Sequence, residues 1–189
     1  YCIDAAKVEQ AITKNTRALC VPNLLGNMPD WKKLGALAKK YKLKVIEDSA
    51  DTLGGEFHGK SSGAHSDISI TSFYGSHVIN CAGNGGMLCV SDDEHARRAK
   101  LLRSWGRSSS LYVESEAVEN RFDVDIDGIE YDKKFVFEAI GYNLEPSEMG
   151  AAFGLVQLAK MQKNIDIRIE NFNKQYAFFK QHEKWFILP

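Results

Sequence analysis

Near the start of the chain two short apolar runs flank one capped amphipathic segment, and no other feature limits the fold so tightly. Ala18 to Val21 reads as a buried strand and Lys44-Val45-Ile46-Glu47 as a second. Between them, Asp30 can cap a helix whose apolar positions Trp31, Leu34, Leu37, Ala38 and Tyr41 fall on one face. Strand, helix, strand within roughly thirty residues outlines a right-handed crossover between parallel strands, so the spacing predicts an α/β layer architecture.

The remaining pattern extends that outline. Val8 to Ile12 reads as a short helix, and Asp67 to Phe73 and Gly86 to Val90 read as two further strands joined by a glycine-rich turn. Asp92 to Trp105 reads as a helix. Asp92, Asp93 and Glu94 stand at its positive end, and Arg97, Arg98, Lys100 and Arg103 follow toward its negative one. Gly106 to Lys134 holds no sustained period and is expected to be a long excursion loop with room for a short hairpin. From Ser147 onward, Leu155, Leu158, Met161, Ile165, Ile169, Phe172, Tyr176 and Phe179 step by threes and fours. They predict one long amphipathic helix, or two in line, packed on the sheet or leading to a second domain. There is no internal repeat or low-complexity tract.

Composition removes several function classes. Lys and Arg total 24 against 25 Asp and Glu, a net charge of -1, which lacks the basic footprint of a phosphate-backbone binder, so no nucleic-acid partner is expected. The 189 residues can bury roughly 70% of the surface of the unfolded chain, enough for a core without metals or disulfides. Cys2, Cys20, Cys81 and Cys89 are widely spaced and have no nearby His at zinc-ligand spacing. Reduced thiols, no metal site and a cytoplasmic location are the expectation. No apolar run approaches the roughly 18 to 20 residues that span a bilayer, so no membrane association is expected. Tyr1 is not an initiator Met and the opening YCIDAAKVEQAI enters in mid-pattern, as a fragment of a longer protein would.

Chemistry concentrates in two places. Glu47-Asp48-Ser49-Ala50-Asp51 closes the second strand, where ligands of open α/β sheets bind. A buried carboxylate there needs a cationic partner, and one candidate is a protonated pyridine nitrogen, which an Asp can hold in its charged form. On spacing alone, Asp48 and Asp51 read more readily as caps of the next turn. The second place is Thr71-Ser72-Phe73-Tyr74-Gly75-Ser76-His77, followed by Val78 to Gly86 with the run Gly83-Asn84-Gly85-Gly86. Hydroxyls leaving a strand into a glycine-rich loop suit a phosphate, because glycine lets backbone N–H groups approach an anion. A His five residues past such a Ser is, without context, more often structural than catalytic.

Taken together, EDSADTLGGEFHGKSSGAHSDISITSFYGSHVINCAGNGG resembles the DegT/DnrJ/EryC1/StrS family of fold type I pyridoxal phosphate proteins, which make nucleotide-linked amino and deoxysugars, including those of lipopolysaccharide. The likeness continues upstream through NLLGNMPDWKKLGALAKKYKLKVIED and downstream through LLRSWGR and GYNLEPSEMGAAFGLVQL. It implies a PLP-dependent transferase-like three-layer sandwich. Residues 1–150 would form part of the large cofactor domain, and 151–189 a long helix leading toward a small C-terminal domain. By the resemblance Asp48 pairs with the pyridine nitrogen, Asp51 stands beside the cofactor, Ser72 binds its phosphate, and Asn143 reaches the phosphate of the neighbouring subunit in a homodimer. In the family, the segment before Tyr1 would carry a Gly-Thr phosphate loop and a ring-stacking residue, and the segment after Pro189 most of the small domain.

Three departures refine the expectation. Where the family's aminotransferases carry the lysine that joins covalently to the cofactor, this chain has His77, and an imidazole cannot form that imine. His at this position resembles the nucleotide-sugar 3-dehydratase branch, as does Asp51 where the aminotransferases usually have Gln. The implied reaction removes the C3 hydroxyl of a nucleotide-linked 4-keto-6-deoxysugar. Pyridoxamine phosphate would serve as cofactor, His77 as the base, and glutamate as a possible amino donor. Second, the segment WGRSSSLYVESEAVENRF lacks the cysteines that one dehydratase of the branch uses to hold a two-iron cluster, so no iron–sulfur cluster is expected. Third, the loop reads GNGG where the family commonly has GEGG, and nothing in the sequence explains Asn84. An aminotransferase-family enzyme with altered chemistry and a non-catalytic fragment remain the other readings.

Overall fold

The computed structural model describes residues 1–113 and 117–189. Asp4 caps α1 (Ala5–Ala11), slightly ahead of the expected helix, because its carboxylate accepts the Ala6 N–H. β1 (Ala18–Pro22) and α2 (Trp31–Tyr41) follow, and Asp30 caps α2 by accepting the Lys33 N–H at 3.0 Å. α2 stops at Lys42, whose left-handed backbone (φ 54°) closes the helix. β2 (Lys44–Asp48) then lies parallel to β1, with Val21 opposite Glu47 and Pro22 opposite Asp48.

Burial alternates along both strands, as period 2 requires. Leu19, Val21 and Val45 face α2, where Trp31, Leu34 and Ala38 complete the core. Ala5, Val8, Met28, Leu43 and Phe57 pack at its rim. Each fully buried aliphatic side chain here contributes about 1.5–3 kcal/mol from leaving water. Tyr41, expected on the apolar face, lies exposed instead. Its hydroxyl donates to Glu9 at 3.0 Å and ties α2 to α1, so the phenol's polarity decides its position.

The two-residue strands β3 (Glu56–Phe57) and β4 (Lys60–Ser61) pair antiparallel around His58 and Gly59, both at positive φ. β5 (Ile68–Ser72) returns parallel to β2, with Asp48 opposite Ile70. β6 (Gly86–Val90) runs antiparallel to β5, placing Gly86 opposite Ser72, and the sheet order is β1-β2-β5-β6. α3 (Asp93–Arg103) is capped by Asp92 and carries its acids first and its bases last.

Within the expected excursion loop, short 3-10 turns at Ser108–Leu111 and Val118–Asn120 precede a hairpin of β7 (Val124–Ile126) and β8 (Ile129–Tyr131). Residues 114–116 of that loop lie outside the described residues. α4 (Glu148–Lys180) is one continuous helix, capped by Ser147. Its buried residues are Gly150 and Gly154, both against Cys81, and Ile165 reaches Gly54. Among the described residues no helix is long and apolar enough to cross a membrane.

Candidate active site

Three chain segments leave the carboxyl ends of β1, β2 and β5 on one edge of the sheet, and four of the five sequence-derived candidates sit on two of them. Asp48 ends β2, where its Oδ1 accepts the Ala50 N–H at 3.1 Å. Asp51 lies in the turn beyond. Its Oδ2 accepts the Leu25 N–H at 3.1 Å, from a turn after β1 in which Leu25 adopts the left-handed region at φ 54°. That conformation is costly for a bulky residue, and it aims the amide at the carboxylate.

Ser72 ends β5, and its Oγ accepts the Tyr74 N–H at 3.2 Å. His77 follows in a turn closed by its own N–H donating to the Tyr74 carbonyl at 3.0 Å. The imidazole packs edge-on against Tyr74, and its Nε2 stands 3.5 Å from Asp51 Oδ1. Its Nδ1 is buried without a hydrogen-bond partner among the described residues. His77 and Asp51 are thus brought together from different strand ends. Asn143 is not brought to them: it is exposed and bridges to Ser104 at the end of α3.

The glycine-rich loop is a close-packed cradle. A Cβ on Gly85, at φ 140°, would meet Cys81 Cβ at 3.2 Å and Phe73 Cβ at 3.3 Å, so only glycine fits there. The Phe73 N–H donates to the Gly85 carbonyl and the Cys81 N–H to the Phe73 carbonyl, folding the loop back over the end of β5. A carboxylate ending β2, a hydroxyl ending β5, a glycine cradle and an imidazole with an orphaned nitrogen form a donor set that fits a phosphorylated pyridine. Among the described residues no group of three or more His, Cys, Asp or Glu is placed to hold a metal ion.

Among the described residues the buried carboxylate of this edge is Glu47, and its partners there are neutral rather than cationic as the sequence suggested. Glu47 is 0% exposed. Its Oε1 accepts from Asn23 Nδ2, Ser49 Oγ and the Gly63 N–H, each at 2.8 Å. Asn23 in turn accepts the Trp31 indole N–H at 3.0 Å. Sequence reasoning passed over this cluster, although strand alternation puts Glu47 on the same face as Val45 and carried the signal.

The chain is 32% identical over 176 residues to the lipopolysaccharide biosynthesis protein RfbH of Salmonella typhimurium, covering 92% of this chain and 40% of that protein. Its structure superposes on the E. coli GDP-4-keto-6-deoxy-D-mannose-3-dehydratase with bound hydrated PLP at a TM-score of 0.82 and 26% identity, covering 96% of this chain and 45% of that one. Against Helicobacter pylori PseC, an aminotransferase involved in the biosynthesis of pseudoaminic acid, the TM-score is 0.68 at 26% identity, over 85% of this chain and 38% of that one. The chain therefore spans less than half the length of these relatives. A sheet that ends in a reversed strand, the cradle beyond β5 and a match over residues 1–187 lead to one assignment: the chain belongs to the DegT/DnrJ/EryC1/StrS aminotransferase family.

Proposed function

We propose that the whole protein is a pyridoxamine phosphate-dependent nucleotide-sugar 3-dehydratase, which removes the C3 hydroxyl of a nucleotide-linked 4-keto-6-deoxyhexose in the cytoplasm. The observation that carries this reading is His77, an imidazole five residues past Ser72, where covalent attachment of the cofactor would need a lysine. When bound, the cofactor supplies an electron sink that the protein's side chains lack. Asp48 holds the positive ring nitrogen by its carboxylate. Ser72 Oγ and the backbone amides of the glycine loop bind the phosphate.

His77 takes up and returns a proton at an imidazole nitrogen, the work of a general base. Asp51, 3.5 Å away, holds the ring in place; catalytic contacts of this length in ligand-free structures commonly tighten when ligands bind. Residues 1–150 serve as part of the cofactor domain and 151–189 as the connector to a second domain. Asn143 completes the phosphate site of the other subunit in a homodimer. Glutamate would be the amino donor.

The test uses the whole protein. Borohydride added with pyridoxal phosphate should leave no reduced adduct on a lysine, because reduction needs an imine to a protein amine. With pyridoxamine phosphate and a nucleotide-linked 4-keto-6-deoxysugar, the protein should release a 3-deoxy product. His77→Asn should abolish release and still bind the cofactor. A borohydride-stable lysine adduct, or full turnover by the Asn variant, overturns the reading. The likeness to an aminotransferase supports a second one, transamination without a covalent lysine, in which the same assay would yield an amino sugar with its C3 hydroxyl intact.

A further inference from the structure

The Glu47 cluster includes none of the candidate ligand side chains, yet its bonds run to, or to the immediate neighbours of, three of those residues: Asp48, Asp51 and Ser72. Asp48 is the next residue, and its carbonyl accepts the Asn23 N–H at 2.9 Å. Thr52, beside Asp51, donates through Oγ1 to the Asn23 carbonyl at 2.9 Å, and Leu25, two residues past Asn23, donates to Asp51 itself. Thr71, beside Ser72, donates through Oγ1 to the Ser49 carbonyl at 3.2 Å, and the Ser49 N–H donates to the Ile70 carbonyl at 2.8 Å. Three strand ends are thus joined through Asn23, Glu47 and Ser49.

The direction of each bond is fixed by chemistry. An indole N–H can only donate, so the oxygen of Asn23 must face Trp31 and its NH2 must face Glu47. Glu47 Oε1 meets three donors and therefore acts purely as an acceptor. Withdrawing a carboxylate from water without a cationic partner costs more than an apolar side chain of the same shape would, so stability alone does not account for Glu47 on a core face. What the carboxylate provides, and a leucine could not, is one acceptor point that sets the spacing of three separate chain segments.

We infer that Glu47, acting through Asn23 and Ser49, is the positioning residue of the cofactor edge: it fixes the relative placement of Asp48, Asp51 and Ser72 without touching the ligand. The inference rests on the cofactor reading above. It also gives Trp31 a role as reporter, since its indole proton lies in the same network and is 2% exposed.

The experiment measures pyridoxamine phosphate binding to the whole protein by calorimetry. Alongside it, the Trp31 indole N–H resonance is followed in 15N-tryptophan protein and assigned with Trp31→Phe. In wild type the resonance should shift as pyridoxamine phosphate binds. Glu47→Gln sets an amide N–H2 among donors, and should weaken binding about tenfold or more and abolish the shift, with the far-ultraviolet dichroism unchanged. Leu34→Ala, a lesion in the same core away from the network, should lower the melting temperature yet keep affinity within about twofold. Ser49→Ala, which removes one donor, should give a smaller loss of affinity in the same direction and keeps the question answerable should Glu47→Gln fail to fold. Wild-type affinity in a folded Glu47→Gln, or in Ser49→Ala, overturns the inference, as does an equal loss in Leu34→Ala. Absence of binding to wild type sinks the cofactor reading, and the inference falls with it.

Discussion

Cys81 shows how little space single residues have around this site. A Cβ on Gly154 would stand 2.4 Å from Cys81 Sγ, and one on Gly150 would stand 3.0 Å from the Cys81 carbonyl oxygen. Gly154→Val should therefore push α4 away from the glycine loop and destabilise the chain by about 1–3 kcal/mol, read as a lower urea midpoint, whereas Gly35→Ala, with open space around its Cβ, should not. Such contacts were illegible in the sequence, because they join residues some seventy positions apart. Asp48, Asp51, Ser72 and His77 were legible as candidates, since strand ends and a glycine run mark where chemistry concentrates. Their mutual geometry was not: the approach of Asp51 to His77 depends on the Leu25 turn, whose left-handed backbone no leucine announces. Glu47 was visible but lost among its acidic neighbours, and only the alternation of β2 separates it from Asp48.

At the scale of elements, the loop before β5 is tied to the start of β2 by Asp67. Its Oδ2 accepts the Val45 N–H at 2.8 Å and its Oδ1 faces Lys44 Nζ at 3.3 Å. The backbone bond first, and the lysine after it, hold its carboxyl below the usual carboxylate range. A depressed pKa means stability that is present above the unfolded value, near 3.9, and is lost as pH falls through the folded one. Asp67→Ala should accordingly unfold at lower urea than wild type at pH 7, and the gap should close progressively below about pH 4. The main elements were readable in advance because each apolar run is bounded by turn residues and each helix by a capping Asp or Ser. Strand direction was not, since Gly86 to Val90 has the same pattern in either sense, and β3 and β4 are too short to show a period.

At the scale of the whole molecule, Asn143 stands apart from the other candidates, exposed beside α3. If it serves a neighbouring subunit, two defective variants should repair each other. Whole protein carrying His77→Asn and whole protein carrying Asn143→Ala, each inactive alone, should regain turnover when dissociated and reassembled together. One site of the mixed dimer then has both residues intact, and sedimentation should give twice the subunit mass. A monomer, or mixtures as inactive as their parents, would rule out a shared site. The sheet order also bears on where chemistry can be housed. A parallel return obliges the connecting chain to travel the length of the sheet, usually as a helix whose amides are committed to its own turns. Because β6 runs back along β5, residues 73–85 carry no such obligation: a tight turn would have sufficed to join the strands. Their length is surplus to topology, and it is in that surplus, unconstrained by any ladder, that His77 can be replaced, lengthened or re-aimed while the sheet beneath stays the same.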